Sequence, residues 1–251
     1  MGIYIKLFDT HSEYEAYTAD TENFILPNVS YCKDVANVVH YNPYVPYDPY
    51  AGHEFVDLGL SVKWAKMNIG AETETDAGLY FQWGDISGYT ASQVGTDKVF
   101  NWENYKYWTA DIGDGSSGMT KYNKIDGKTT LEVGDDAAVA NMGGLWRMPT
   151  EVEFNELLTA STITNEWISI NGVYGRKFSL TADPTKYVFF PAAGTCANSS
   201  VYYVGNNGYY HSSSVVGVDV INIFSMFSNS EGCRMLNTGR KNGFTVRGVV
   251  G

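Results

Sequence analysis

Apolar residues lie in short clusters along the chain and rarely form a long periodic stretch. Three of these clusters follow one another at residues 55–60, 62–67 and 80–83, and glycine interrupts them. Clusters of four to nine residues bounded by Gly, Asn and Ser are typical of short strands. Further strand-like segments occur at 166–170, 177–180, 187–191, 201–204 and 243–247. The pattern therefore predicts a mostly β protein.

The clearest helix signal begins at Thr150. Thr150 and Glu153 form a capping box, and Phe154, Leu157 and Leu158 share one apolar face. A second, shorter helix is predicted within residues 135–140. The chain is thus expected to carry a helix or two on a β-rich framework.

The pattern changes near residue 50. Residues 1–50 read as a small N-terminal module, with a strand at 3–8 and a short helix after Thr10, and they end in a Pro/Tyr-rich linker. Residues 51–251 form the main domain. Inside it, residues 86–141 are rich in Gly, Asp, Asn, Lys and Thr, which predicts a long irregular insertion.

One stretch near the C-terminus is unusually apolar and allows two interpretations. It is either a buried strand pair or an exposed contact surface, and periodicity alone favours burial. Its apolar members are Val215, Val216, Val218, Val220, Ile221, Ile223, Phe224, Met226 and Phe227.

Composition excludes several classes of function. Charged residues make up 18% of the chain and the net charge is −11, so the basic face needed to follow phosphates is missing and no nucleic-acid partner is expected. No apolar run is long enough for membrane insertion as a helix. The first residues also lack the basic and apolar segments of a signal peptide.

Candidate chemistry is sparse. Nucleophile elbows, phosphate loops and zinc-ligand spacings are missing, so no catalytic site and no cofactor are expected. Calcium is the one metal for which ligands can be named: Asp111 with Asp114, or Asp135 with Asp136, although the spacing is not that of an EF-hand.

The three cysteines are Cys32, Cys196 and Cys233. An odd and sparse set favours free buried thiols, although one disulfide remains an alternative. A catalytic pair of His211 with Cys196 or Cys233 is conceivable, but the spacing does not support it.

Seven motifs in the main domain combine aromatic residues with glycine. They lie at residues 54–65, 68–71, 78–84, 144–150, 189–194, 208–214 and 243–247. In this order they resemble the Fibrobacter succinogenes major paralogous domain family, common in gut Bacteroidales and their phages. The resemblance covers about residues 54–249. It implies an α+β, C-type lectin-like fold of the formylglycine-generating-enzyme type with much irregular structure.

The motifs also suggest which residues form the scaffold. Trp146, Arg147 and Pro149 fall in one motif and are expected to be structural. A second set is expected in the core: Trp64, Trp83, Phe189 and Phe190.

The departures from the family pattern lie near the C-terminus. His211 stands where the family usually has Trp, and the segment after Ser214 reads VVGVDVINIFSMFSNSEGCRMLNTGRK where Asn and Tyr usually predominate. This resembles the variable region of a protein diversified by a diversity-generating retroelement, here about residues 208–247. Adenine randomisation of Asn codons yields many of these residues, whereas Glu231, Met235 and Lys241 do not fit it.

The resemblance implies a ligand-binding or receptor-binding protein that is not an enzyme. Its variable surface would contain Tyr210, His211, Val215, Val216, Val218, Val220, Ile221, Ile223, Phe224, Cys233, Arg234, Leu236, Asn237, Thr238 and Gly239. Four of these are the expected anchors, with burial in the core as the alternative interpretation: Tyr210, His211, Phe224 and Arg234.

The same resemblance suggests partners and a location. The expected partner is a protein or glycan ligand on a cell surface, used for host-surface or cell-surface recognition. Residues 1–50 would attach the chain to a larger assembly, and a homo-oligomer is a candidate state. A phage virion, as part of the tail, or a bacterial cell surface is the expected location.

Two alternatives stay open. The first is an undiversified lectin-like domain that binds a glycan, with or without calcium. The second is an oxidase of the formylglycine-generating type. That chemistry resembles a two-cysteine copper site, and only Cys196 and Cys233 could serve it, in unsuitable sequence contexts.

Overall fold

The computed structural model describes residues 48–110, 118–217 and 222–251. They belong mostly to one unit, Tyr50–Gly251. The strand, helix and attachment role that the sequence predicts for residues 1–50 lie almost wholly outside the described residues.

The described residues are mostly β, with two short α-helices and two 3₁₀ turns. The helices are α1 (Ala137–Met142) and α2 (Glu151–Thr159), and the 3₁₀ turns are Ala91–Gln93 and Val133–Asp135. The strands are β1 (Phe55–Val56), β2 (Lys63–Ala65), β3 (Tyr80–Phe81), β4 (Ile163–Ile170), β5 (Val173–Leu180), β6 (Asp183–Pro191), β7 (Thr195–Ala197), β8 (Ser200–Tyr202), β9 (Gly208–Val215), β10 (Asn222–Asn229), β11 (Gly232–Gly239), β12 (Phe244–Thr245) and β13 (Val249–Val250). A β-rich domain with few helices is therefore confirmed.

The strands form four small sheets. The largest has the order β11-β10-β9-β12-β3, and β4-β5-β6 forms a three-stranded meander. The strands β1-β2-β13 and the pair β7-β8 complete the set. The three long strands β9, β10 and β11 are joined in antiparallel order, so the C-terminal quarter of the chain builds one side of the largest sheet.

Both predicted helices are present: α2 begins directly after the predicted Thr150 cap, and α1 begins two residues later than the segment predicted at 135–140. The Thr150 side chain accepts a hydrogen bond from the Glu153 amide, and the Glu153 carboxylate accepts one from the Thr150 amide. Asp136 caps α1 in the same way and also accepts from the Met148 amide. These caps satisfy amides that have no partner within a helix.

The main core lies between α2, the β4–β6 sheet and the inner face of β9–β11. Its members include Trp64, Phe154, Phe190, Tyr210 and Met226, which are fully buried. The core positions predicted from the motifs are confirmed by burial at Trp64, Trp83, Phe189 and Phe190. Trp146 is buried too, and Arg147 pairs with Glu153, so both stabilise the scaffold.

Arg247 cross-links this core. Its guanidinium is fully buried and donates to Asn68 Oδ1 at 2.8 Å and to three backbone carbonyls. It also lies 4.7 Å from the centre of the Phe190 ring. Burial lowers the pKa of Arg247 to about 10, so the group stays charged near neutral pH, and the carbonyl oxygens compensate for lost hydration.

The long segment predicted as irregular contains the two 3₁₀ turns and α1 and otherwise lacks regular elements among its described residues. Asp135 anchors it: its carboxylate accepts from Lys106 at 2.9 Å, from Lys121 at 2.5 Å, and from the hydroxyls of Tyr107 and Tyr122. These donors hold the pKa of Asp135 well below its usual range despite burial. The anchored segment covers part of the largest sheet.

Candidate ligand-binding surface

The β10–β11 hairpin presents two chemically different faces. Cys233 and Met235 point inward and pack against the main core. Residues alternate between the faces of a strand, so Arg234, Leu236 and Thr238 lie on the opposite face. Arg234 is exposed, and Leu236 and Thr238 are half-buried. We call these three residues the outer face of β11.

The outer face of β11 is held in place by its cross-strand partners. Register pairs Arg234 with Phe227 and Thr238 with Ile223. The Arg234 guanidinium lies 5.0 Å from the centre of the Phe227 ring. The hydroxyls of Ser225 and Thr238 are 2.8 Å apart and share a hydrogen bond. The side chains therefore stand on a rigid support, which a recognition surface needs.

Four predicted surface residues are instead buried, and the prediction is wrong for them. Tyr210 and His211 on β9, Val215 at its end and Ile223 on β10 are all at most 5% exposed. Tyr210 is in the main core, and its hydroxyl donates to the Pro191 carbonyl at 2.6 Å. Tyr210 and His211 are buried because β9 is an inner strand of its sheet, with β10 on one side and β12 on the other.

His211 is a buried structural residue. Its Nε2 lies 2.9 Å from the Phe81 carbonyl oxygen, to which it donates, and its ring packs on Phe244 with centroids 4.7 Å apart. Burial lowers its pKa to about 4, so the imidazole is neutral at physiological pH. The expected anchor is therefore a packed core histidine.

Val215 and Ile223 are buried by the irregular segment. They share a cluster with Trp83, Tyr105 and Tyr122, and the Trp83 indole nitrogen donates to the Ser212 carbonyl at 2.8 Å. Periodicity favours burial for this apolar stretch, and the structure confirms burial for Val215 and Ile223.

The remaining predicted surface residues differ in exposure. Asn237 is exposed, and the others are half-buried: Val216, Phe224, Cys233 and Gly239. Val218, Val220 and Ile221 lie outside the described residues. The expected anchor Arg234 is therefore the one of the four that the structure exposes.

An aromatic margin adjoins the outer face of β11, and the sequence reasoning missed it. The Tyr209 ring contacts the Phe227 ring at a tilted angle, with centroids 5.0 Å apart, and burial raises the pKa of Tyr209. The Asn207 side chain donates to the Tyr209 hydroxyl and the Asn207 amide donates to the Tyr203 carbonyl, so the turn after β8 is tied to Tyr209. Three consecutive residues of the β8 end are exposed by 45–59%: Tyr202, Tyr203 and Val204.

The signal for this margin was present in the sequence. Residues 201–204 read as a strand, but β8 ends at Tyr202. Tyr203 has a positive φ of 62°, and its carbonyl accepts from the Asn206 and Asn207 amides. An aromatic pair that only Val204 separates from a Gly-Asn-Asn-Gly segment indicates a turn that projects aromatic side chains.

The two candidate calcium ligands Asp135 and Asp136 have protein partners. Lysine and tyrosine side chains occupy the Asp135 oxygens, and Asp136 caps α1. Asp111 and Asp114 lie outside the described residues. Within the described ranges, no group of three or more His, Cys, Asp or Glu side chains is placed to hold a metal ion.

The cysteines lie in different environments. Cys196 and Cys233 are both free. Cys196 is fully buried beside Tyr80 and Phe100, whereas Cys233 packs at the margin of the main core. Burial raises the pKa of Cys196 to about 12 and that of Cys233 as well, so both are protonated thiols at neutral pH. Cys32 lies outside the described residues.

Comparison of the chain with protein-family models, with curated proteins and with solved structures finds no match. Among the described residues, no helix has the length and apolar character needed to cross a membrane.

Proposed function

We propose that this chain is a ligand-binding protein with a C-type lectin-like domain, whose C-terminal surface is diversified by a retroelement. The observation that carries the proposal is the outer face of β11. It places Arg234, Leu236 and Thr238 in a row on a hairpin whose inner residues are fixed by the core. A recognition surface of this kind needs exposed side chains on a stable support.

The support is largely independent of the exposed side chains. The Arg247 guanidinium and the Thr150–Glu153 capping box involve none of the outer-face residues. Asn229 closes the β10–β11 turn, because its side-chain oxygen accepts from the amides of Glu231 and Gly232. Side chains at Arg234, Leu236 and Asn237 can therefore change with little effect on the fold.

The structure sharpens where variation is expected. Copies of this protein should differ at Val216, Arg234, Leu236, Asn237 and Thr238, where side chains are exposed or half-buried. They should keep a buried set whose replacement disturbs the core: Tyr210, His211, Val215 and Ile223.

Sequencing related isolates tests the proposal. We expect substitutions to concentrate at the exposed positions of residues 208–247, and a reverse transcriptase with a near-copy of the 3′ end of the gene to lie in the neighbouring DNA. Substitutions spread evenly over residues 51–251, without such a neighbour, would contradict the proposal.

The biological setting follows from the same proposal. The ligand is a protein or glycan on a cell surface, and the chain is carried by a phage tail or a bacterial surface. Residues 1–50 attach it to the larger assembly.

Glycan binding without diversification is the second candidate function, and the aromatic margin favours it. Tyr202 and Tyr203 are exposed, and exposed aromatic rings pack well on apolar faces of ligands. A glycan array probed with the wild type and with Tyr203→Ala distinguishes the two functions. Hits that disappear in Tyr203→Ala, with identical sequences across isolates, favour this candidate.

A further inference from the structure

Strand β11 is an edge of the largest sheet. Sheet order places β10 on one side of it, and no strand of the described residues on the other. Its register with β10 runs without a shift from Asn222↔Gly239 to Asn229↔Gly232. The edge is therefore regular and eight residues long.

The register identifies the backbone groups on the free edge. Asn229 and Gly232 pair across a two-residue turn, and Val216 N donates to the Asn222 carbonyl, which directs the backbone groups of Asn222 towards β9. Backbone groups alternate between the two sides of a strand. Those of Arg234, Leu236 and Thr238 consequently bond to β10. Those of the three alternate residues point away from the sheet: Cys233, Met235 and Asn237.

These outward groups have no partner among the described residues. In the described part of the chain, no hydrogen bond reaches the backbone of Cys233, Met235 or Asn237. Buried backbone groups are nearly always paired, so unpaired ones are expected to face solvent. The strand sequence GCRMLNTG holds neither Pro nor Lys, and no bulge interrupts it. Natural sheets use those devices to prevent edge pairing.

We propose that β11 binds its ligand by strand addition, and that the ligand supplies an extended peptide segment. The inference rests on the proposed function and names the class of ligand. Backbone hydrogen bonds to Cys233, Met235 and Asn237 supply affinity that does not depend on side chains, and the outer face of β11 supplies specificity. A diversified strand can thus change its preference while it keeps its mode of binding.

The outer face defines the chemistry of the peptide. Arg234 is exposed, and no carboxylate of the described residues forms an ion pair with it. Leu236 lies two residues further along the same face. A segment with Asp or Glu beside Arg234 and an apolar residue two positions away complements both. Pairing with a second copy is disfavoured, because each chain carries a net charge of −11.

The test uses a display library of linear random peptides, with the full chain as bait. Asn237→Pro removes one outward N–H without removing a bond to β10, and Asn237→Ala is the matched control that keeps the N–H. We expect enriched peptides to show a carboxylate two positions from an apolar residue. Both variants lose the Asn237 side chain and only Asn237→Pro loses the N–H, so the affinity should be roughly tenfold lower for Asn237→Pro than for Asn237→Ala.

A second measurement keeps the test decisive if Asn237→Pro does not fold. Amide hydrogen exchange on the wild type should show the amides of Cys233, Met235 and Asn237 exchanging quickly alone and slowly with an enriched peptide. An Arg234→Glu variant should reverse the preference from acidic to basic peptides.

Three results would overturn the inference. They are no enrichment of linear peptides, equal binding by Asn237→Pro and Asn237→Ala, or self-association of the wild type that Asn237→Pro abolishes. The first two would leave the proposed function intact if isolates still vary at the exposed positions. Failure of the proposed function would instead appear as invariant sequences, whatever the peptides do.

Discussion

Strands β9 and β11 are both eight residues long, and both fall in the segment that the sequence marks as variable. Six of the eight β9 residues are buried, whereas no β11 residue is buried: two are exposed and six are half-buried. The difference comes from their places in the sheet. Strand β9 has β10 and β12 as neighbours, and β11 has β10 alone. Position in the sheet therefore decides which residues of one segment are free to change.

The largest effect on stability is expected for a substitution on β9. Tyr210→Ala should lower the free energy of unfolding by about 4 kcal/mol, because it removes a fully buried ring. It also leaves the Pro191 carbonyl without the bond donated by the hydroxyl. Urea unfolding followed by tryptophan fluorescence measures the change. The matched variant on β11, Leu236→Ala, should cost less than about 1 kcal/mol. Equal losses at the two positions would contradict the comparison.

A second effect depends on pH and concerns His211. Its folded pKa is about 4 and its unfolded pKa about 6.5. Between these values the unfolded chain binds more protons than the folded one, so stability is fully present above pH 6.5 and falls as the pH drops towards 4. The expected loss is about 3 kcal/mol.

The control for this prediction is His211→Gln, which keeps a donor for the Phe81 carbonyl but does not titrate. Asp136, whose buried carboxyl has a raised pKa, titrates in both proteins. Its effect therefore cancels in the difference between the two unfolding free energies. Unfolding free energies of the two proteins should therefore converge as the pH falls to 4. Parallel curves would show that His211 is protonated in the folded state.

A smaller effect on stability is expected at the contact between β11 and β10. Thr238→Val removes the hydroxyl that bonds to Ser225, and Ser225 is fully buried. The orphaned hydroxyl should cost about 1–2 kcal/mol. Thr238→Ser keeps the bond and should stay within about 0.5 kcal/mol of the wild type. If Val and Ser are equally stable, solvent already satisfies Ser225.

The sequence predicts helix caps better than it predicts which side chains are exposed. The cap at Thr150 could be read directly, since a cap is decided by residues within one turn. The exposure of Arg234 and the burial of His211 could not be predicted from the sequence, because each depends on which strand lies beside the residue. The burial of Ile223 depends on an irregular segment about a hundred residues away in the chain, which no periodicity reveals.

The smallest expected effect on stability is at Arg234. Its side chain is exposed and its interaction with the Phe227 ring is a surface cation–π contact, so Arg234→Ala should change the free energy of unfolding by about 0.5–1 kcal/mol. Arg234→Lys keeps the charge and should lie closer to the wild type. Thermal unfolding in low and high salt separates the contribution of the Arg234 charge from that of its contact with the ring, because salt screens charge and leaves ring contact intact. A loss above about 2 kcal/mol would mean that the outer face of β11 supports the fold, and that diversification could not act there.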